Sequence, residues 1–98
     1  MVKHVVLWKL AESAEGHSKW ENAKIIKEGL ENLKVLIPCL KSVQVGLNEN
    51  GGDFDLVLLT EFDSMEDLKA YDTHPEHEKV RAYVRKVIEQ RASVVFTC

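Results

Sequence analysis

Apolar positions along the chain change period several times, and each change marks an element. Val2 to Leu10 is rich in β-branched and aromatic residues and predicts a strand. One face carries Val2, His4, Val6, Trp8 and Leu10; the other carries Lys3, Val5, Leu7 and Lys9. Ala11 to His17 reads as a polar connection. Ser18 then opens an S-x-x-E capping box with Glu21, and a helix to about Ile37 follows. Its buried stripe is Ala23, Ile26, Leu30, Leu33 and Ile37, and Pro38 ends it. Leu40 to Asn48 alternates as an edge strand. Asn50-Gly51-Gly52-Asp53 is a hairpin turn, and Phe54 to Phe62 is the next strand. Ser64 with Asp67 begins a short helix to about Asp72. Pro75 is unfavourable inside a helix and welcome at its first position, so a second helix runs from Pro75 to about Gln90. Ala92 to Thr97 closes as a strand.

The order β-α-β-β-α-β predicts an α+β, ferredoxin-like fold, with two helices on one face of a four-stranded antiparallel sheet. Its first and third strands are central, and these are the two with apolar residues on both faces. The helices bury only one face. On this reading Val5, Leu7, Phe54, Leu56 and Leu58 remain on the other, a patch too large for a monomer. The expectation is a homodimer whose two sheets pack into one α/β barrel.

Composition adds limits. At 98 residues, 45% hydrophobic and 30% charged, the chain reads as one globular domain spanning 1–98, with a core sufficient without metal or disulfide staples. The net charge of −3 has acids and bases interleaved, with no basic stripe for nucleic acid. No apolar run exceeds four residues, far short of a membrane span, and no signal peptide is read at the start. Cys39 and Cys98 fit no metal spacing and read as reduced thiols of a cytoplasmic protein.

The chemistry gathers around Tyr71-Asp72-Thr73-His74-Pro75-Glu76-His77. Stepping back three residues from Val80 places His77 on the core-facing stripe with Val84, Val87 and Ile88. A helix start and burial both favour the neutral imidazole, which can serve as a general base. His4 shares a strand face with Val6 and Trp8. Tyr71 can donate to a developing oxyanion, and Asp55 can orient a histidine. Each also has a plainer reading: a hydrogen-bonded core histidine, a packed tyrosine, a strand-starting aspartate, a cap for His74, and packing for Trp8 and Trp20. Gly29 beside the helix stripe reads either as close packing or as room for a ligand. The two histidines lie on different elements with no third ligand beside either, so no metal site is expected.

The segments V-K-H-V-V-L-W-K-L, I-P-C-L-K-S-V, F-D-L-V-L-L-T-E-F and Y-D-T-H-P-E-H-E-K-V together resemble the stress-responsive A/B barrel (Dabb) domain, over essentially the whole chain. The resemblance implies a dimeric α/β barrel. Most members have no assigned activity, and no cofactor is implied. A plant polyketide cyclase of this family is similar in layout and performs an aldol condensation with a histidine and a tyrosine. The matching positions are His77 as base and Tyr71 as its partner, with His4 in the pocket. Asp55 and Gly29 stand where that cyclase has a pocket histidine and tyrosine, which implies a wider, differently charged pocket. Plant members hold a cation on backbone carbonyls matching Lys34, Ile37 and Leu40. Oxygenases and haem-binding barrels share the architecture and form an alternative reading.

Overall fold

The computed structural model describes all 98 residues, Met1–Cys98. Strand β1 (Val2–Leu10) leads through a two-residue ladder, β2 (Ser13–Ala14) and β3 (His17–Ser18), into helix α1 (Lys19–Leu36). Then come β4 (Ser42–Leu47), β5 (Leu56–Phe62), α2 (Met65–Asp72), α3 (Pro75–Val87) and β6 (Ile88–Thr97). The four long strands form one antiparallel sheet in the order β4-β5-β1-β6. The ferredoxin-like prediction holds, with β1 and β5 central.

Local signals set the helix ends. The Ser18 hydroxyl accepts from the Glu21 N–H while the Glu21 carboxylate accepts from the Ser18 N–H, the reciprocal box read from the sequence. Ser64 caps α2 through the Asp67 N–H, and Pro75 occupies the first turn of α3. The stripe of α1 is buried throughout, from Ala23 to Ile37.

Four features differ from the sequence reading. Ala11 to His17 is not wholly irregular: β2 and β3 pair across a turn in which Glu15 and Gly16 both take positive φ. The β4–β5 connection is wider than a tight hairpin. Gly51 and Gly52 supply its positive φ angles, and the Asn48 amide donates to the Gly51 and Phe54 carbonyls at 2.9 and 2.8 Å. Helix α3 stops at Val87 and β6 begins at once, four residues before the expected strand. The apolar run of Val84, Val87 and Ile88 suits either element, and only pairing of Ile88 with Leu10 decides it.

The fourth concerns the sheet faces. Trp8 pairs with Leu56 and Val6 with Leu58, so Leu56 and Leu58 lie under the helices, each 2% exposed. The open face instead carries Val5, Leu7, Val57 and Leu59, extended on the edge strand by Ala92, Val94 and Phe96. Alternation divides a strand into two faces; the cross-strand register alone says which face is which.

Buried polar groups tie the layers together. Asn22, fully buried, donates to the Ala14 carbonyl at 3.1 Å and accepts from the Tyr83 hydroxyl, joining the short ladder to α1 and α3. Asp55 accepts from the buried Leu10 N–H at 2.8 Å and faces the Lys19 ammonium at 3.6 Å. Asp55→Ala strands that N–H and removes a charge-assisted bond. The expected loss is about 2 kcal/mol of stability, a fall in melting temperature of about 8–16 °C for a domain of this size, measurable by calorimetry.

Candidate functional site

A cavity of about 350 Å³ lies between the helix-covered face of the sheet and α3. Its apolar wall is formed by Val6, Trp8, Leu30, Leu58, Val80 and Val84. Its chemistry comes from His4 on β1, Tyr71 at the end of α2, and His77 in the first turns of α3. Three residues that the sequence places in separate elements thus meet at one space.

Tyr71 is 1% exposed, wedged between the Phe62 ring at 5.1 Å and the His77 imidazole stacked at 4.3 Å. Its hydroxyl has no hydrogen-bond partner; neither has the buried Nδ1 of His4. No other buried side-chain nitrogen or oxygen is left unpaired. An unsatisfied buried polar group costs about 1–3 kcal/mol, and both such groups belong to residues lining this cavity. Burial raises the Tyr71 hydroxyl far above its ordinary value, so it remains a proton donor.

His77 Nδ1 lies 3.3 Å from the Asp72 carbonyl and 3.0 Å from the Arg81 guanidinium. The nearest Arg81 nitrogen has two hydrogens, and Asp72 claims both: the carbonyl oxygen at 2.8 Å and Oδ1 at 2.6 Å. This count assigns the imidazole hydrogen to Nδ1, donating to the Asp72 carbonyl, and leaves Nε2 as the basic atom. Burial pushes His77 below the ordinary histidine value. The Asp72 carbonyl pulls the other way, and the Arg81 charge adds to the lowering. Burial and then the Arg91 charge lower His4.

Both histidines therefore enter the folded state neutral. Between their folded values and the unfolded value near ~6.5, the unfolded chain binds more protons, so stability falls as pH drops. The expected result is a loss of denaturation midpoint as pH falls from about 7 through the ordinary histidine value, reduced in a His4→Gln/His77→Gln variant; equal pH slopes for both proteins would contradict it.

The other proposed site residues stand elsewhere. Asp55 orients no histidine: its carboxylate serves Leu10 and Lys19. Gly29 does not line the cavity. A side chain there would meet Val80 at 3.5 Å, so the glycine marks helix contact and not ligand space. His74 caps α3, its Nδ1 accepting from the Glu76 N–H at 3.1 Å. At the end of α1 the Ile37 carbonyl already accepts the Leu40 N–H at 3.1 Å, and Lys34 lies in the last helical turn. Trp8 does line the cavity. Sequence reading missed three further lining residues, Arg81, Arg85 and Arg91. The i, i+4, i+8 spacing of His77, Arg81 and Arg85 was the available signal.

A four-stranded antiparallel sheet covered on one face by helices, with a histidine- and tyrosine-lined cavity between them, defines the class of ferredoxin-like α+β proteins. Within that class, the stress responsive A/B barrel family model matches residues 2–98, and the chain belongs to that family. A dimeric protein of unknown function with ferredoxin-like fold from Bacteroides fragilis is 36% identical, with a TM-score of 0.88 over 97% of this chain and 93% of its own. An Arabidopsis thaliana protein is 24% identical, with a TM-score of 0.83 over 100% and 95%. A hydroxynitrile lyase from Passiflora edulis, 16% identical, has a TM-score of 0.81 over 97% and 90%. No curated protein matches the chain. No helix is long and apolar enough to cross a membrane.

Proposed function

We propose that the protein binds a small carbonyl compound in the cavity between sheet and helices and moves a proton on it without a cofactor. The observation that carries this reading is the pair of unpartnered buried groups, His4 Nδ1 and the Tyr71 hydroxyl, on residues that line one cavity with the neutral His77. In the proposed step a C–H bond next to the carbonyl breaks and its proton goes to His77 Nε2. The electron pair forms an enolate, whose oxygen accepts a hydrogen bond from Tyr71. The enolate carbon then forms a bond to a second carbonyl carbon, giving an alkoxide that takes the proton back from His77, or it is reprotonated to an isomer. The hydroxynitrile lyase is a lyase by name on this fold; at its identity it speaks for the fold alone.

The test compares wild type with Tyr71→Phe in a thermal-shift screen of aromatic ketones, β-keto thioesters and aromatic acids. Removing a buried hydroxyl that has no partner leaves the free protein as stable as wild type or more so. The shift produced by a carbonyl ligand falls in the variant. No ligand shifting wild type, or equal shifts for both proteins, counts against the reading.

Two further parts belong to the same proposal. The open sheet face pairs with a second copy, because Val94 and Phe96 are 60% and 42% exposed beside Val5, Leu7, Val57 and Leu59. The Bacteroides fragilis relative is dimeric. The compartment is the reducing cytoplasm, in which Cys39 and Cys98 persist as the free thiols they are here.

A further inference from the structure

We infer that the ligand of the cavity carries an anionic group, a carboxylate or a phosphate, seated between Arg85 and Arg91 at the cavity mouth. The inference deepens the proposed function and rests on the cavity being a ligand site.

Three arginines and one aspartate are among the residues lining the cavity, in a chain whose acids outnumber its bases 16 to 13. The carboxylate is already committed. Asp72 takes one terminal nitrogen of Arg81, and Glu78 takes the second terminal nitrogen at 2.7 Å. Arg85 has no acceptor, and Arg91 meets only the neutral Ser93 hydroxyl at 3.2 Å. Both are exposed, so they stand at the entrance while the histidines and Tyr71 lie deeper.

The fold brings the two arginines to the same cavity from different elements. His77, Arg81 and Arg85 follow one another at four-residue intervals along α3, which puts them on one stripe of the helix. Arg91 lies on β6 opposite Trp8 and so on the helix side of the sheet. Pairing of the opposite sheet face with another copy leaves it free. Its charge reaches inward, since it holds down the protonation of His4.

A concave, apolar-walled site concentrates the field of such charges, and a guanidinium fork matches the oxygens of a carboxylate or phosphate. The cavity volume stands at the small end for ligand sites, which favours a small oxo acid or a small phosphate ester over a lipid. An anion at the mouth leaves the carbonyl to point inward toward Tyr71 and His77.

Calorimetric titration of the full chain with three matched probes tests this. Phenylpyruvate carries a carbonyl and a carboxylate, phenyl phosphate carries a phosphate, and phenylacetone carries the carbonyl without charge. At least one anion binds about tenfold or more tightly than phenylacetone. Added salt narrows the gap, and an Arg85→Gln/Arg91→Gln variant closes it while still binding phenylacetone as wild type does. The tighter of the two anions names the class. If phenylacetone binds and neither anion binds more tightly, the ligand cavity stands and the anion site falls. A preference that survives in the double variant also overturns it. Absence of binding by all three at millimolar concentration overturns both readings. His77→Ala retains the anion preference, which separates the seat of the charge from the base.

Discussion

On the proposed function, His77→Ala is expected to lower the turnover of a carbonyl substrate by about 10²–10⁴-fold, the usual contribution of a positioned general base, or about 3–5 kcal/mol of transition-state stabilisation. The residue is the one lining group that combines a free basic nitrogen, a fixed tautomer and a lowered protonation point. The rate of wild type rises with pH and levels off at or below the ordinary histidine value, because burial already keeps the ring neutral. The variant loses this acidic limb, and added imidazole, small enough to enter the space the ring vacates, restores part of the rate. The Tyr71 ring, stacked on the imidazole at 4.3 Å, loses a packing partner, so some stability is lost as well. Imidazole rescue distinguishes the two effects: a fall in rate that imidazole does not touch, matched by the fall in folded fraction, would make His77 a packing residue.

On the proposed pairing of the open sheet faces, Leu59→Asp is expected to convert a dimer to a monomer. Leu59 lies on the open face of β5, between Val5 of β1 and Gln44 of the edge strand β4, one same-face pair inward from Lys3 and Glu61. A carboxylate there costs little in the monomer, where the face meets water. Buried against a second apolar sheet it is an unpaired charge, worth several kcal/mol against association. Light scattering after gel filtration therefore halves the mass, with an unchanged circular dichroism spectrum. A dimer of undiminished mass would place the interface on another surface.

Much of this was legible before any coordinates, and unevenly so. Signals confined to a few neighbouring residues were reliable: Ser18 with Glu21, Ser64 with Asp67, and His74 before Pro75 each began a helix where the chemistry required. The helix period placed His77, and the strand period placed His4 beside Trp8. Errors arose where a residue's partner is distant in sequence. Leu56 and Leu58 moved to the buried face because Trp8 and Val6 oppose them. Asp55 left the site because its partners are Leu10 and Lys19. Arg91 joined it because β6 starts at Ile88, which only pairing with Leu10 reveals.

The pairing of β1 with β6 also sets the order of events in folding. Val5 and Val94 are cross-strand neighbours, so a central strand awaits a partner about ninety residues further along. Contacts of such separation form slowly, after the cost of closing a long loop has been met. During synthesis β1 emerges first and waits through nearly the whole domain, its apolar faces open to chaperones or to wrong partners. His4 and Arg91 ride on these two strands, so the complete cavity lining arises only once β6 has paired.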